Sequence, residues 1–406
     1  MGDRQSLYAA ALVRSVATGM IGVLLGVYLA ELNLDVATIG LVIGAGLAGA
    51  TVATLAVTLA ADRIGHRRSL ILITLLSAGG AVALAVSSHP VVLGVAAFVG
   101  MANGMGRDRG AALVLEQAVL PETTSDRERT SAFARYNVLQ DVGHALGALL
   151  AALPAALQHW TAMPEPSALR ASVGVYAVLC FLPCLAYLRL SAQIEGGQLA
   201  RQQPVSESTR RILWKISSLF ALDSLGGGFL TTALLSFFFR ERFGTTLEAI
   251  ATLFFAARLL NAGSHLAAAW LAKRIGLVNT MVFTHMPSSL LLMTVAIAPN
   301  FPIAAVLFLL REGLVEMDVP TRQSYVMAVV ERHERTLASG VTHLVRLGAW
   351  AVAPTIAGFL MSSASLALPL YIGAAMKLLY DLLLWRAFRK LRPPEESARS
   401  PVVSSK

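Results

Sequence analysis

The amino-acid sequence predicts an all-α membrane protein of twelve transmembrane helices in two pseudo-symmetric six-helix bundles. Of the 406 residues, 56% are apolar and only 14% are charged, whereas a soluble domain carries about 25% charged residues. Long apolar runs recur along the chain, and short patterns in its first half recur in its second half. These observations exclude a water-soluble enzyme with a single membrane anchor.

The apolar runs have the length of membrane-spanning helices, about 20 residues or more. Charged residues and clusters of Pro and Gly separate them. The first run is too long for the core of a signal peptide, so it is predicted to be a retained first span. In chain order, spans one to twelve are predicted at residues 7–30, 38–60, 69–88, 91–119, 131–154, 170–189, 214–239, 249–272, 279–298, 302–320, 338–361 and 369–388.

One long polar connection follows span six, at residues 189–212. Its Gly, Gln and Pro residues predict a flexible cytoplasmic linker. The chain is therefore predicted to divide into an N-terminal bundle, residues 1–188, and a C-terminal bundle, residues 213–390. The tail, residues 391–406, is rich in Glu, Ser, Arg and Pro, and we expect it to be disordered and cytoplasmic.

Lysine and arginine are distributed unevenly between the two ends of the spans. If both termini are cytoplasmic, 23 of these residues lie in cytoplasmic segments, and only Arg240 and Arg242 lie in loops on the far side. Because positively charged loops resist translocation, this predicts cytoplasmic termini in a multi-pass protein of the inner membrane. The formal charge of +9 then has a topological cause, and no nucleic-acid partner is expected.

The sequence has none of the common motifs of enzymes or metal sites. Cys180 and Cys184 are the only cysteines, too few for a disulfide framework or a thiolate metal site. The phosphate-binding loop, the zinc motif His-Glu-x-x-His and the nucleophile elbow are also missing. We therefore expect no enzymatic activity, no metal and no cofactor.

Two short patterns repeat at nearly the same interval. The residues Asp62-Arg63-Ile64-Gly65 after span two recur 211 residues later as Lys273-Arg274-Ile275-Gly276. The residues Glu128-Arg129-Thr130 recur 206 residues later as Glu334-Arg335-Thr336. This repetition predicts two parallel six-helix repeats, an arrangement found in transporters.

The loop between spans two and three resembles the signature loop of the major facilitator superfamily, which reads Gly-x-Leu-Ala-Asp-Arg-x-Gly-Arg-Arg/Lys. Here it reads Thr58-Leu59-Ala60-Ala61-Asp62-Arg63-Ile64-Gly65-His66-Arg67-Arg68. The leading Gly is replaced by Thr58 and one cation by His66. The resemblance implies a secondary transporter working by alternating access, with a conformational latch formed by Asp62, Arg63, Gly65 and Arg67.

Ionisable residues also occur inside the predicted spans, where each costs about 2.5–3.5 kcal/mol to insert. In the family, spans 1, 4, 7 and 10 line a central cavity and spans 2, 5, 8 and 11 flank it. The candidates for solute binding and proton coupling all fall on these spans: Asp108, Glu312, Asp223, Asp141, Arg14, Arg107, Arg311, Arg346 and Arg258.

Two pairings are predicted from position. Arg14 and Asp223 occupy equivalent places on spans one and seven, so they are expected to face each other across the pseudo-twofold axis. Lys377 and Asp381 lie one turn apart on span twelve and are expected to satisfy each other.

Two further expectations depend on helix geometry. Neighbouring residues of the span-four helix diverge by about 100°, so Arg107, Asp108 and Arg109 cannot all face one cavity, and one or two of them must meet other helices. Asp318 and Arg322, spaced i and i+4 near the cytoplasmic end of span ten, are likewise expected to pair and suit a latch or cap. Pro320 between them is expected to interrupt the helix.

Proton coupling requires a group whose proton occupancy changes between the two states of the transporter. Burial raises the pKa of a carboxyl group and a nearby arginine lowers it, so a carboxylate that loses and regains such a partner can carry a proton. Asp108, Glu312, Asp223 and Asp141 meet this requirement, and Asp108 and Glu312 are favoured by their depth.

The function predicted from the sequence is proton-coupled export of a small organic or drug-like solute, by antiport, by a monomer whose other partners are protons and the lipid bilayer. The alternative is a proton- or exchange-coupled permease for a small organic anion, which the buried arginines favour. A non-transporting membrane sensor is a third possibility. The sequence identifies neither the solute nor its charge.

Overall fold

The computed structural model describes residues 2–124, 129–191, 207–319, 321–322 and 335–388. Most of the predicted linker and the whole predicted tail lie outside these ranges. Within them the regular structure is helical and contains no β-strand. The helices are α1 (Asp3–Glu31), α2 (Val36–Ile64), α3 (His66–Val86), α4 (Pro90–Gly100), α5 (Ala111–Val119), α6 (Arg129–Leu150), α7 (Leu153–Thr161), α8 (Glu165–Tyr187), α9 (Glu207–Gly228), α10 (Thr232–Phe243), α11 (Leu247–Ile275), α12 (Leu277–Ala296), α13 (Phe301–Val315), α14 (Arg335–Ser363) and α15 (Leu368–Phe388), with a 3-10 turn at Leu120–Thr123.

Each of the twelve predicted spans lies on one of these helices or on two consecutive ones. In the described part of the chain, seven helices are long and apolar enough to cross a membrane, counting Arg210–Phe243 as one. The number is eight if α6 and α7, which are bent by 41°, form a single span. Large apolar side chains such as Leu72, Leu75 and Val82 on α3 are exposed, as expected for a surface in contact with lipid.

Span four is not the continuous helix predicted at residues 91–119. Helix α4 ends at Gly100, α5 begins at Ala111, and the ten residues between them are irregular. Met101 and Gly106 have positive φ angles of 53° and 66°, which a right-handed helix does not allow. We call residues 101–110 the span-four break.

Span seven is also broken. Helix α9 ends at Gly228 and α10 begins at Thr232, where the Thr231 side chain accepts a hydrogen bond from the backbone N–H of Leu234 at 3.2 Å. This is an N-cap, which satisfies one of the free donors at the start of a helix. We call residues 229–231 the span-seven break.

The chain forms two compact units. Unit 1 comprises Met1–Gln202, Gly227–Arg258 and Leu347–Pro369, and unit 2 comprises Gln203–Gly226, Leu259–Arg346 and Leu370–Lys406. Unit 1 therefore includes α10 and parts of α11 and α14 from the second half of the chain. The division into bundles of residues 1–188 and 213–390 stays a prediction.

Helix α1 lies at the centre of unit 1. All residues from Ala17 to Leu29 are buried, so α1 is enclosed around its whole circumference. It packs against α6, α8 and α10. A Cβ atom on Gly22 would lie 2.2 Å from the Cα of Gly106, and one on Gly26 would lie 2.1 Å from the carbonyl oxygen of Ala233. Only glycine allows α1 to approach both chain segments this closely.

The core of unit 2 is formed by α9, α12 and α15. Phe220, Met281 and Tyr380 are buried there together, one from each helix. This packing brings the polar residues of the three helices together.

The turn after span two repeats after span eight. Gly65 ends α2 with a φ of 101°, and Gly276 ends α11 with a φ of 85°. Both positions require a left-handed backbone that favours glycine. The repeated pattern in the sequence therefore corresponds to a repeated turn.

Candidate functional site

Arg14 lies on α1 and contacts two carboxylates of span four. Its Nε donates a hydrogen bond to Asp108 Oδ2, and its Nη2 lies 2.7 Å from Glu116 Oε2. The side chains of Arg14 and Asp108 are 16% and 7% exposed, and that of Glu116 is fully buried. One guanidinium is thus shared by two carboxylates inside unit 1.

Two tyrosines complete the environment of Glu116. The hydroxyl of Tyr136 donates to Oε2 and that of Tyr187 donates to Oε1, each at 2.6 Å. Both tyrosine side chains are buried. Every oxygen of this carboxylate therefore has a donor, as a buried charged group requires.

The span-four break positions Asp108. Its backbone N–H donates to His144 Nε2 at 2.9 Å, and its Oδ1 accepts from the backbone N–H of Gly110 at 3.2 Å. The Asn103 side chain bridges the break, accepting from the Met105 N–H and donating to the Arg107 carbonyl oxygen. The irregular backbone is therefore satisfied by local hydrogen bonds and by α6.

The span-four break also binds the start of α10. The Gly104 carbonyl oxygen accepts from the Ala233 N–H at 3.0 Å, and the Met105 carbonyl oxygen accepts from the Thr232 hydroxyl at 2.8 Å. Arg258 of α11 lies 3.2 Å from the same hydroxyl through its Nη2. Irregular backbone at membrane depth is tolerated where it is buried within protein in this way.

A small cavity lies beside this cluster in unit 1. Its volume is about 70 Å³, and its lining includes Arg14, Asn103, Asp108, Tyr176 and Cys180. A water molecule takes about 30 Å³ of liquid, so the cavity has room for about two. It can bring water to Asp108, but it is too small for an organic solute.

Unit 2 has a second buried charge cluster, centred on Asp223 of α9. Its carboxylate accepts from Arg322 at 3.0 Å and from Lys377 at 2.9 Å. Arg322 also donates to Asp318 at 2.8 Å, which confirms the predicted i, i+4 pair. Three spans, seven, ten and twelve, are thus joined by ion pairs.

Glu312 of α13 forms a third cluster. It contacts its neighbour Arg311 and accepts a hydrogen bond from the Asn261 side chain of α11 at 2.9 Å. All three residues are buried. The two predicted site residues of span ten therefore neutralise each other.

The remaining predicted residues have separate surroundings. The Nε of Arg346 donates to the Ser224 hydroxyl at 3.0 Å, and the guanidinium of Arg109 lies 4.7 Å from the centre of the Trp350 ring. Within the described ranges, Asp141 is half-buried and no hydrogen bond or ion pair of its carboxylate is found. Arg107 takes part in the span-four break through its carbonyl oxygen.

A match to a family model shows which protein family this chain belongs to. The model of the Major Facilitator Superfamily matches residues 7–313. The chain belongs to the major facilitator superfamily. As a member of this superfamily it has the fold of a membrane transporter, and it is not an enzyme.

Known proteins similar to this superfamily member include one relative and many solved structures. The uncharacterized membrane protein YJR124C of Saccharomyces cerevisiae is 24% identical over 94% of this chain and 93% of its own length. The nucleoside transporter NupG has a TM-score of 0.76 at 14% identity, with 96% of this chain and 100% of that chain covered. A D-xylose-proton symporter has a TM-score of 0.73 at 13% identity, with 94% and 97% covered.

The superfamily's signature loop is partly described. Gly65 makes the tight turn, Arg63 is exposed, and Arg67 donates to the Leu188 carbonyl oxygen at the end of α8 at 2.8 Å. The side chain of Asp62 lies outside the described residues. The role of these residues as a conformational latch stays a prediction.

Two predicted pairings are wrong. Arg14 was expected to pair with Asp223, but each has its partners within its own unit. Lys377 and Asp381 were expected to pair, but Lys377 reaches Asp223, and Asp381 lies 3.0 Å from His285. Residues 107–109 are not helical, so the helical step predicted between Arg107, Asp108 and Arg109 is absent.

Three residues of these clusters were not predicted from the sequence: Glu116, His285 and Tyr187. Glu116 is an acid inside the apolar run of span four, and His285 is a histidine inside span nine, so both carried the signal used for the other residues. Neither was singled out. Tyr187 carried no such signal, since a tyrosine near the end of a span is common at a membrane interface.

Proposed function

We propose that the protein is a proton-coupled transporter that exports a small organic solute by alternating access. It acts as a monomer in the inner membrane, with both termini in the cytoplasm. The observation that carries the proposal is the sharing of Arg14 between two carboxylates, Asp108 and Glu116, at membrane depth.

The charges of these three side chains do not balance. One guanidinium faces two carboxylates, so the cluster reaches neutrality when one carboxylate takes up a proton. Asp108 borders the cavity of about 70 Å³, through which water can deliver that proton. Asp108 is therefore the proposed proton carrier of unit 1, and Glu116 is the fixed partner of Arg14.

Glu312 is proposed to be the corresponding acid of unit 2, with Arg311 as its partner. Arg107, Arg258, Arg346, Asp141 and Asp223 stay candidates for contact with the solute or for proton coupling. Asp62, Arg63, Gly65 and Arg67 are proposed to form the conformational latch that the signature loop implies.

Two of the candidate arginines are already paired with carboxylates, which supports an uncharged solute. Arg14 is neutralised by Asp108 and Glu116, and Arg311 is neutralised by Glu312. The named solutes of two structural neighbours, nucleosides and D-xylose, are also uncharged. A third neighbour, the human organic anion transporter MFSD10, is named for an anionic solute and has a TM-score of 0.58 at 17% identity. The alternative of an organic-anion permease, which the count of arginines favours, is therefore kept.

Inverted membrane vesicles test the coupling. Each vesicle is given an acidic interior, and nucleosides, pentoses and cationic dyes are added one at a time. We expect at least one of these solutes to discharge the pH gradient as it is taken up. Asp108→Asn and Glu312→Gln are expected to abolish the discharge, whereas Glu248→Gln, at an exposed position of α11, keeps it.

The same vesicles distinguish antiport from symport. Antiport moves solute inward as protons leave, while symport, the mode of the xylose neighbour, drives solute in the direction of proton flow. If no solute changes the gradient, or if both variants transport normally, proton coupling through these residues is wrong.

A further inference from the structure

His285 of α12 lies between charged side chains of two other helices, α15 and α9. Its Nδ1 is 3.0 Å from both carboxylate oxygens of Asp381 on α15. Its Nε2 is 3.3 Å from Lys377 Nζ and 3.8 Å from Asp223 Oδ1. All four side chains are buried.

The contact with Lys377 defines the tautomer of the ring. An ammonium group can only donate hydrogen bonds, so Nε2 must accept through its lone pair. The proton of the neutral ring then lies on Nδ1, where it is donated to Asp381. Lys377 meanwhile keeps its second contact, with Asp223 at 2.9 Å.

A second proton on the ring changes these contacts. It occupies the Nε2 lone pair, so Lys377 loses its acceptor and faces a positive charge about 3.3 Å away. Two like charges at such a distance in a buried site repel strongly. The new Nε2–H group has an acceptor close by, since Asp223 Oδ1 lies 3.8 Å from the same nitrogen.

We propose that His285 is a proton-binding site. When its ring takes up a second proton, His285 replaces Lys377 as a partner of Asp223. This deepens the proposed proton coupling, on which it rests, and adds a site that is separate from Asp108 and Glu312. From its distance of 3.8 Å, Nε2 needs to move only about 1 Å closer to Asp223 Oδ1 to donate a hydrogen bond of ordinary length, and Lys377 withdraws from the charged ring.

The other charged groups around His285 do not prevent this exchange. Arg322 and Asp318 pair with each other, and Arg322 keeps its own contact with Asp223. On α13, which packs against α12, Arg311 and Glu312 pair with each other.

Two further groups complete the surroundings of this site. The ring of Tyr380 stands edge-on to His285, with the ring centres 6.0 Å apart. Arg346 approaches Asp223 from α14 through its hydrogen bond to Ser224. Neither contact involves the Nε2 of His285.

The exchange acts next to the span-seven break. Asp223 lies one turn before Gly226 on α9, and a Cβ on Gly226 would lie 3.3 Å from Lys377 Cγ and 3.0 Å from the Gly373 carbonyl oxygen. The aliphatic stem of Lys377 therefore packs against the last turn of α9. When Lys377 withdraws, its stem no longer holds this turn in place, although Asp223 keeps Arg322 and gains His285 as partners. Protonation of His285 therefore loosens the end of α9.

Hydrogen–deuterium exchange of the protein in lipid nanodiscs tests the proposal without added solute. Peptides covering residues 226–233 are compared between variants at the same pH, so that the chemical exchange rate cancels. Near about pH 5.5, where an imidazole can be charged, we expect exchange about threefold faster in the unmodified protein than in His285→Gln. Near about pH 8 the two are expected to be equal.

Two further variants sharpen the comparison. Lys377→Gln is expected to exchange fast at both pH values, because the ion pair with Asp223 that holds this side chain against the last turn of α9 is removed without any proton. His159→Gln, at an exposed position of α7, is the matched control and is expected to follow the unmodified protein. A pH response that survives in His285→Gln overturns the proposal.

Nitrogen NMR of histidine-labelled protein provides a second measurement that does not require the variants to fold. The His285 signal is expected to change from an Nδ1-protonated ring to a doubly protonated ring as the pH falls. A ring that keeps one form throughout this range overturns the proposal.

The outcome is separable from that of the proposed function. If a solute discharges the gradient in vesicles and His285 never titrates, the His285 site is wrong and proton-coupled transport stands. If His285 titrates and loosens α9 but no solute discharges the gradient, the site stands and the proposed coupling is wrong.

Discussion

Arg14 and Glu116 illustrate how single side chains are held inside this protein. Glu116 has no exposed surface, and it accepts hydrogen bonds from Arg14 and from two tyrosines. Removal of one partner from a buried ion pair leaves an uncompensated charge, at a cost of about 3–5 kcal/mol. We therefore expect Arg14→Ala to fail to fold and prefer a milder change as a test.

Tyr136→Phe and Tyr187→Phe each remove one donor to Glu116 and keep the ring. A hydrogen bond to a charged group contributes about 1.5–3 kcal/mol, and we expect each variant to lose that much free energy of unfolding. The measurement is chemical unfolding in detergent micelles. Tyr371→Phe, at a half-buried position of α15 outside the cluster, is the control and is expected to change little.

The combination of the two variants carries further information. Both hydroxyls donate to one carboxylate. The free energy of unfolding that the double variant loses is therefore expected to differ from the sum of the losses in the two single variants. Strict additivity would contradict the shared environment of Glu116.

At the scale of helices, the two breaks and α1 depend on each other. The span-four break places its carbonyl oxygens at the start of α10, and glycines of α1 contact both segments. Close backbone contacts of this kind are favourable in a membrane, where helices gain little from hydrophobic burial. The breaks are therefore stabilised by main-chain hydrogen bonds and by close packing at glycines.

Gly22→Ala tests this packing. The added methyl group would lie 2.2 Å from the Gly106 Cα, so α1 and the span-four break must separate. Overpacking of this kind costs about 1–3 kcal/mol, and we expect a lower melting temperature together with loss of transport.

Gly79→Ala on α3 is the matched control, because nothing lies within 4 Å of its Cβ position. Alanine is favoured over glycine in a helix by about 1 kcal/mol, so this variant is expected to be as stable as the unmodified protein or more stable. Equal effects of the two substitutions would contradict the packing argument.

The helices could be predicted from the sequence because each apolar run is long and its ends are polar or rich in Gly and Pro. The span-four break could not be placed by apolarity alone, although Gly100, Gly104, Gly106 and Gly110 lie close together there. Glycine is common in membrane helices and does not by itself indicate a break.

The partners of the buried charges could not be predicted. Position along equivalent spans suggested Arg14 with Asp223, but partner choice depends on helix rotation and on the irregular backbone that turns Asp108 toward α1. A spacing of i and i+4 predicted the Asp318–Arg322 pair correctly. It predicted the Lys377–Asp381 pair wrongly, because both of these residues contact His285 of a neighbouring helix.

At the scale of the molecule, unit 1 contains contacts between distant parts of the chain. Arg240 at the end of α10 donates to Glu165 at the start of α8 at 2.6 Å. Gly40 of α2 packs closely on Gly358 of α14. On the predicted topology both contacts lie at the end of the spans away from the cytoplasm, so they hold that end together.

A reversible cross-link tests whether these contacts must open during transport. Glu165→Cys and Arg240→Cys, combined with Cys180→Ala and Cys184→Ala, are joined by a short reducible bifunctional thiol reagent. We expect transport to stop on cross-linking and to return on reduction, because alternating access requires this end to open. The single-cysteine variants are the controls, and undiminished transport by the cross-linked protein would contradict alternating access through this end.

The ion pairs of Arg14 also have a consequence for biogenesis. Arg14 precedes Asp108 by 94 residues and Glu116 by 102 residues in the chain. At a synthesis rate of about 5–20 residues per second, neither carboxylate exists for about 5–20 s after Arg14 has been made. During that interval the guanidinium has neither carboxylate as a partner, and its long side chain can extend toward the interface. The ion pairs of the first helix can therefore form only after span four has been synthesised.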